Sequence, residues 1–307
     1  MKILLAGASG FIGKNFLEYA ADNLEIIAIY NKSRDIVEFI KNKKLKNVKL
    51  YRCDFTNKEE VKNLLEKIGN GIDYCIYLCG NANVPLSITD PTEDLYSNTL
   101  AIINFLQHCN IKKFIYLSSA AVYDGNKGKV ATNTKLNPVI PYCISKLACE
   151  HYIRFYASKG KIKEFIILRF GGAYGKYSPK KFLSKVVDEI CIKNKKTIEV
   201  YGDGTNIINV MYVKDAIRGL LACLHSNKSN VICNMGQDNM TIAETIQRIA
   251  NIFNKEIEIK YTPRISNQKY IGFKIDVDFN KIFGFKPDYS FESGIKEFAE
   301  LMKNEKL

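Results

Sequence analysis

Apolar, β-branched runs alternate with longer stretches of helical periodicity through the first half of this chain. The runs occupy residues 2–6, 25–30, 48–53, 74–78, 113–117 and 164–168. The helical stretches occupy residues 14–21, 58–67, 91–109, 142–159 and 179–193. Alternation of this kind predicts parallel βαβ units, so we expect an α/β fold with a doubly wound parallel sheet and helices on both faces.

The alternation of strand and helix patterns ends at about residue 175, and the predicted elements after it are shorter. A turn-rich segment at 202–205 and a further helical stretch at 241–253 fall in this part of the chain. We therefore expect residues 1–175 to build most of the sheet, with later segments returning to it. Residues 176–307 are expected to form mainly a smaller α/β lobe.

The composition is that of a folded globular protein, with 307 residues, of which 47% are hydrophobic and 25% charged. The net charge of +13 raises the question of nucleic-acid binding. The lysine-rich stretch at 41–49 lacks the interleaved aromatic residues of a base-stacking platform, so a solvated face is the better interpretation. The charge also suits a small anionic ligand such as a nucleotide diphosphate.

Neither the nine cysteines nor the three histidines show the spacing of metal ligands. The sequence contains no C-x-x-C pair, and no histidine is spaced as a partner to another. We expect reduced thiols and no metal centre. The apolar residues 1–6 run into a glycine-rich turn and are too few for a signal peptide, and no window approaches the roughly 18 apolar residues of a membrane span. A cytoplasmic protein without a membrane segment is expected.

Gly7, Gly10 and Gly13 follow the first predicted strand and open the first predicted helix. Glycines let the backbone turn sharply and approach a pyrophosphate, whose charge is stabilised at the N-terminus of the helix. A structural βα turn could carry the same glycines, but this position in the chain favours a phosphate cradle that includes Phe11 and Ile12. Residues 1–175 are therefore predicted to form a dinucleotide-binding domain of the Rossmann type.

The end of the second predicted strand bears on the choice between NAD and NADP. An acid about 20 residues after the glycines usually holds the adenosine ribose. This chain has Asn31, Lys32 and Arg34 in that region instead. Cations would favour a ribose 2′-phosphate, so we expect NADP or NAD, with NADP slightly favoured. The alternative is that Lys32 and Arg34 are simply exposed.

Tyr142 and Lys146 are four residues apart in a predicted helix and would lie on one face of it. A phenol is a weak base at neutral pH because its ordinary pKa is about 10, and a neighbouring cation favours the phenolate. Tyr142 is thus a candidate general base, although the same spacing occurs by chance in many helices. Upstream, Ser119 ends a strand at the edge where ligands bind, and its hydroxyl could contact the reacting oxygen or only cap a turn.

Taken in order, these motifs resemble the extended short-chain dehydrogenase/reductase family, in its nucleotide-sugar epimerase, dehydratase and reductase branch. The likeness runs through nearly the whole chain. The matching segments are Gly7 to Gly13, Asp54, Leu78-Cys79-Gly80, residues 84–91 leading to Asn98, 117–123, Pro141-Tyr142 with Ser145-Lys146, 168–170, Tyr174-Gly175, 201–204, 212–215, 234–236 and 284–287.

The resemblance implies an NAD(P)-dependent enzyme whose residues 176–307 mainly bind a substrate similar to a nucleotide sugar. Asp54 would contact the adenine of the cofactor, Asn98 would help to order its nicotinamide half, and Lys146 would bind the nicotinamide ribose. Ser119 and Tyr142 would flank a sugar hydroxyl, whose proton passes to Tyr142 while a hydride passes to the nicotinamide. The other expected cofactor contacts are Phe55, Leu78, Cys79, Gly80, Ser118 and Phe170, and the other expected substrate contacts are Asn81, Ala120 and Gly172.

Family members often dimerise through the two long helices that correspond to residues 91–109 and 142–159. The resemblance therefore also implies a homodimer.

The chain departs from the family pattern at positions that bear on the reaction. Ala120 and Ala121 stand where the 4,6-dehydratases have an Asp-Glu pair, and Ala121 also stands where fucose-synthase-like enzymes have a cysteine. Dehydration and double epimerisation are therefore not expected.

A second group of departures bears on the substrate. Gly172 and Ile208 stand where an asparagine and an arginine usually hold the diphosphate, and Asn209 replaces a frequent acid. The candidates for the missing cation are Lys176, Lys180, Lys181 and Arg264.

Three functions stay open on the sequence alone. The first is a nucleotide-sugar epimerase that forms a keto sugar, most often at C4, without net cofactor turnover. The second is an NADPH-dependent reductase of a nucleotide-linked 4-keto sugar, motivated by Asn31, Lys32 and Arg34. The third is a non-catalytic relative that binds a dinucleotide or RNA as a regulator, against which the presence of Ser119 and the Tyr142–Lys146 pair argues.

Overall fold

The computed structural model describes residues 1–20, 24–263 and 272–305 of the chain. The strands, numbered in chain order, are β1 (Lys2–Ala6), β2 (Glu25–Tyr30), β3 (Val48–Arg52), β4 (Gly71–Tyr77), β5 (Asn110–Ser119), β6 (Lys129–Val130), β7 (Ile162–Phe170), β8 (Ala173–Tyr174), β9 (Thr197–Tyr201), β10 (Ile207–Tyr212), β11 (Val231–Met235), β12 (Asp238–Thr241), β13 (Glu258–Thr262) and β14 (Lys274–Ile275).

The α-helices are α1 (Phe11–Ala20), α2 (Asp35–Asn42), α3 (Lys58–Ile68), α4 (Val84–Thr89), α5 (Pro91–Leu95), α6 (Ala101–His108), α7 (Pro141–Ser158), α8 (Phe182–Val187), α9 (Val213–His225), α10 (Ile242–Ile252), α11 (Phe279–Phe283) and α12 (Phe291–Glu305). Tyr96–Leu100 and Asp188–Ile192 are π-helical turns, and Ala120–Tyr123 is a 3₁₀ turn.

Seven parallel strands form the central sheet in the order β11-β7-β5-β4-β1-β2-β3. All six predicted strands lie in it, which confirms the doubly wound α/β prediction. The seventh strand, β11, was not predicted and pairs with β7. Successive residues of β1 enter opposite cores: Ile3 and Leu5 pack on one face of the sheet, and Leu4 and Ala6 on the other. Burial on both faces explains why this strand is a continuous apolar run.

The helices cover both faces of this sheet. Residues of α1, α9 and α11 pack into the core on one face, and residues of α3, α6 and α7 pack into the core on the other. The predicted helix at 14–21 begins earlier, at Phe11, and its last position lies outside the described residues. The predicted helix at 179–193 begins later, at Phe182, because the Lys181 backbone N–H donates to Ser184 Oγ at 2.9 Å and caps the first turn there.

A third hydrophobic core lies in the second half of the chain. It joins residues of α8, α10 and α12 to β9 and β10, with Tyr174, Val210 and Phe291 among its buried members. Two small sheets belong to this region, one of β12, β10 and β8 and one of β13 and β9. The division at residue 175 stays a prediction.

The carboxyl ends of β1, β4, β5 and β7 lie along one edge of the central sheet, since the strands are parallel neighbours. Ser119 and Phe170 are the last residues of β5 and β7. The sheet therefore brings motifs that are far apart in the sequence to one edge. In the described part of the chain, no helix combines the length and the apolar character that crossing a membrane requires.

Candidate active site

A cavity of about 600 Å³ opens at this edge of the sheet, between the ends of the strands and the segments around α8 and β10. Fourteen of the catalytic, cofactor and substrate contacts expected from the sequence line it. They are Gly7, Gly10, Phe11, Ile12, Gly13, Leu78, Gly80, Ser118, Ser119, Ala120, Tyr142, Lys146, Phe170 and Gly172. The expected cradle, the expected catalytic group and part of the expected substrate contacts thus share one cavity.

The glycine turn has the geometry of a close backbone approach. Gly7 has φ +87°, a left-handed conformation that favours glycine, and its N–H donates to Ile29 O at 3.1 Å. A Cβ on Gly13 would lie 2.4 Å from Gly7 O, so a larger residue would push the turn and α1 apart. Phe11, Ile12 and Gly13 open α1 and line the cavity, and the first N–H groups of a helix have no partner within it, as a phosphate site requires.

The expected adenosine end lies beyond the cavity, where β2 and β3 end. Asp54 accepts hydrogen bonds from the Thr56 N–H at 2.9 Å and the Thr56 hydroxyl at 2.8 Å, and from the Asn31 side chain. Burial raises the pKa of Asp54, but these hydrogen bonds outweigh it, so the pKa lies below its usual range. Lys32 and Arg34 are exposed nearby.

Phe55 differs from its neighbours in this group. Its ring stacks at 5.1 Å from Phe105 and at 5.8 Å from Tyr77, inside the core. A cofactor contact from Phe55 would therefore come from its backbone.

The turn after β4 separates the cavity from a buried amide. Gly80 has φ +141°, and a Cβ there would lie 2.4 Å from Asn98 Oδ1 and 3.4 Å from Lys146 Nζ. Asn98 is 2% exposed and donates from Nδ2 to Asn81 O at 3.2 Å. Asn81 and Asn98 thus lie behind the lining residues. Burial raises the pKa of the Cys79 thiol, in the same turn, to about 12.

Tyr142 is the second residue of α7, and Lys146 follows one turn later. Both side chains are buried, with 7% and 6% of their surface exposed. Lys146 Nζ lies 5.0 Å from the centre of the Tyr116 ring, which adds a cation–π contact. Ser119 Oγ accepts the Ala121 N–H at 3.1 Å and so does cap a turn. A hydroxyl that accepts one hydrogen bond can still donate its own hydrogen to a ligand oxygen.

A buried ionic network under the cavity was not foreseen from the sequence. Ser118 Oγ donates to Glu150 Oε1 at 2.7 Å, and Arg169 Nη2 donates to Glu150 Oε2 at 2.9 Å. Glu150 is fully buried. Burial lowers the pKa of Arg169, but the bonds to Glu150 and the Glu150 charge outweigh it, so the pKa lies above its usual value. Ser118 therefore directs its hydroxyl away from the cavity, although it lines it.

The substrate side of the cavity is largely apolar, with Phe182, Leu183, Ile208 and Phe273 among its lining residues. Three of the four cation candidates for this side can now be located. Lys181 lines the cavity, Lys180 does not, and Lys176 Nζ pairs with Glu18 Oε1 at 3.0 Å. Arg264 lies outside the described residues.

A metal site is a separate question from the cation candidates. Among the described residues, no three His, Cys, Asp or Glu side chains group together as metal ligands would.

Comparison with known proteins identifies the family. The model of the NAD dependent epimerase/dehydratase family matches residues 3–236. The chain belongs to this family. It is 30% identical over 314 residues to an uncharacterized protein of Methanocaldococcus jannaschii, a match that covers 97% of this chain and 94% of that one. The likeness in sequence therefore extends beyond the residues that the family model matches.

Two solved structures share the fold of this epimerase/dehydratase family member. One is the UDP-glucose 4-epimerase of Thermotoga maritima with UDP-glucose, with a TM-score of 0.86, 22% identity and coverage of 100% of both chains. The other is the UDP-glucuronic acid 4-epimerase of Bacillus cereus with UDP-glucuronic acid and NAD, with a TM-score of 0.84, 23% identity and coverage of 99% of both chains. At these identities the likeness shows the fold.

Membership of the epimerase/dehydratase family establishes that the chain is an enzyme. This favours the two catalytic hypotheses over a non-catalytic regulator.

Proposed function

We propose that this enzyme is a nicotinamide-dependent nucleotide-sugar epimerase that oxidises the sugar at C4 and reduces the resulting keto sugar from its other face. The observation that carries the proposal is that Tyr142, Lys146 and Ser119 line the same cavity as the glycine turn. The substrates named with the two related structures are UDP-sugars, and both of those proteins are 4-epimerases. Their chemistry supports C4 as the reacting carbon.

The residues present fit a dinucleotide. A Cβ on Gly13 would lie 2.4 Å from Gly7 O, so the glycine turn packs directly against the start of α1, and Gly7, Gly10 and Gly13 all line the cavity. When bound, the nicotinamide would supply the hydride acceptor and donor. Residues of the cradle would hold the pyrophosphate, and Lys146 would bind the nicotinamide ribose.

Three side chains of the chain itself would then act on the sugar. The Tyr142 phenolate accepts the proton of the reacting hydroxyl and returns it at the end of the cycle. The Lys146 ammonium, one helical turn away, stabilises the phenolate. The Ser119 hydroxyl donates a hydrogen bond to the same sugar oxygen and fixes its position.

Ala120 supports epimerisation over dehydration, because it lines the cavity next to Ser119 and Ala121 follows it there. Methyl groups cannot accept or donate the proton that elimination of water requires. The same argument disfavours the cysteine-dependent double epimerisation.

NAD and NADP are both compatible with the adenosine end. NAD is named with the related structure from Bacillus cereus, and no comparison supports the preference for NADP that Lys32 and Arg34 suggested. We propose NAD as the resident cofactor of the epimerase. The second candidate, an NADPH-dependent reductase of a nucleotide-linked 4-keto sugar, is favoured by the exposed Lys32 and Arg34 at the end of β2.

The same proposal extends to the assembly and the role of the enzyme. Apolar side chains are exposed on α5, the adjoining π turn and α7, among them Leu95 at 49%, Tyr96 at 48% and Phe155 at 48%. We propose that this face forms a homodimer. A cytoplasmic role in carbohydrate biosynthesis completes the proposal.

The identity of the cofactor separates the two candidates. The purified enzyme is denatured and any released dinucleotide is identified, and the emptied protein is then titrated with NADH and NADPH by fluorescence. Tightly held NAD, together with a UDP-sugar whose C4 configuration changes without net NADH formation, supports the epimerase. An empty site that prefers NADPH and consumes it with a keto sugar supports the reductase and contradicts our first choice.

A further inference from the structure

Asp94 and Asn98 form a buried pair one helical turn apart, at the point where α5 passes into the π turn. Asp94 is 0% exposed and Asn98 is 2% exposed. Asn98 Nδ2 donates to Asp94 Oδ1 at 2.9 Å and to Asn81 O at 3.2 Å. Burying a carboxylate costs free energy unless it is hydrogen-bonded, so the bond from Asn98 helps to keep Asp94 in this position. π-Helical turns within α-helices are also frequent at functional sites.

The partners of Asn98 determine which way its amide points. A carboxylate oxygen and a backbone carbonyl oxygen both accept hydrogen bonds and cannot donate them. The amide nitrogen of Asn98 must therefore face Asp94 and Asn81, because the reverse orientation would set an oxygen against two oxygens. The orientation of this amide thus follows from the network.

The oxygen of the same amide points towards the cavity side. Asn98 Oδ1 is buried without a hydrogen-bond partner among the described residues. A Cβ built on Gly80 would lie 2.4 Å from this oxygen and 3.4 Å from Lys146 Nζ, so both atoms flank the same glycine. An acceptor oxygen and an ammonium donor beside one small gap suit a hydrogen bond through a water molecule. Glycine at position 80 keeps that gap open.

We propose that Asp94 is a positioning residue for the catalytic pair. Through the Asn98 amide it presents a carbonyl oxygen to Lys146, and so holds the ammonium where it stabilises the Tyr142 phenolate. The inference rests on the proposed roles of Tyr142 and Lys146. In the described part of the chain, other groups near Lys146 include the Tyr116 ring of β5, the Cys149 thiol of α7 and the Cys79 thiol after β4. None of these is an anion that could replace the oriented carbonyl.

Asp94→Ala tests the inference, because it removes the acceptor at 2.9 Å and leaves the Asn98 amide with only its bond to Asn81 O. Asp94→Asn is the conservative variant, since its amide oxygen can still accept the hydrogen bond from Asn98 Nδ2. The kcat of Asp94→Ala should fall roughly tenfold with the wild-type KM for a UDP-sugar, whereas Asp94→Asn should retain the wild-type kcat. Glu93→Gln, an exposed neighbour on α5, is the matched control and should change neither kcat nor KM.

A double-mutant cycle shows whether Asp94 acts through Asn98. In an Asn98→Ala background, Asp94→Ala should cause no further loss of kcat. Losses that multiply, or an Asp94→Ala variant with the wild-type kcat, would overturn the inference while leaving the proposed function intact.

A measurement that needs no turnover separates the positioning role of Asp94 from the proposed function. In ¹⁵N spectra of lysine-labelled enzyme, the Lys146 ammonium signal should move in Asp94→Ala and keep its wild-type position in Asp94→Asn. A Lys146 signal that is identical in Asp94→Ala and the wild type would overturn the positioning role even if no UDP-sugar were a substrate.

Discussion

At the scale of single residues, the described lining of the cavity's substrate side includes one cation, Lys181. Among the described lining residues, Lys181 and Lys146 carry positive charge, and Lys146 lies beside Tyr142 at the catalytic end. A nucleotide diphosphate carries two negative charges, which Ile208 cannot offset. We therefore propose that Lys181 binds the diphosphate, while Lys176 is occupied by Glu18.

Lys181→Met should weaken binding of UDP roughly tenfold in calorimetry, because one charge-assisted contact of about 1.4 kcal/mol is lost. Lys180→Met is the control, since Lys180 is exposed and does not line the cavity. The double variant Lys181→Met/Ile208→Arg should recover most of the affinity, because position 208 lines the same cavity. Unchanged binding by Lys181→Met would exclude this lysine.

At the scale of elements, α7 carries three functional groups at successive turns. Tyr142 and Lys146 line the cavity, and Glu150, four residues on, binds Arg169 of β7 and Ser118 of β5. Because the carboxylate joins the helix to two strands, we propose that it fixes the position of Tyr142 in the cavity.

Glu150→Ala should therefore lower the free energy of unfolding by about 3–5 kcal/mol, since it leaves the Arg169 charge buried and unpaired. Urea denaturation measures the change. Glu59→Ala removes an exposed ion pair with Lys62 and should leave stability unchanged within error. Equal stability of the two variants would show that the buried network does not anchor α7.

Hydrophobic periodicity predicted the central strands and most of the helices between them. A central strand buries two faces and a helix buries one, and both leave a pattern of apolar residues in the sequence. Periodicity did not reveal β11, α9 or α12. The core that receives α12 is made by segments from several distant parts of the chain. The glycine turn and the Tyr142–Lys146 pair could be predicted because their spacing is local. The role of Glu150 could not be predicted, because it depends on Arg169. Only the packing of α7 against β7 brings Arg169 Nη2 within 2.9 Å of Glu150 Oε2.

At the scale of the whole molecule, the proposed homodimer uses the face of α5 and α7. Phe155→Lys places a charge in that face and should convert the dimer to a monomer at micromolar concentration, as measured by light scattering after gel filtration. Tyr261→Lys is the control, because Tyr261 is 52% exposed on β13, away from this face. A monomeric wild-type protein would contradict the proposal directly.

The central claim is that a nicotinamide-dependent enzyme acts on a nucleotide sugar through Tyr142. The most direct test compares the wild type with Tyr142→Phe on UDP-glucose and UDP-glucuronic acid, with NAD present, by NMR of the sugar products. Tyr152→Phe, on the same helix, controls for the loss of a hydroxyl. We predict that Tyr142→Phe loses at least about 100-fold in kcat while Tyr152→Phe keeps the wild-type rate. Turnover by Tyr142→Phe at the wild-type rate would contradict the account.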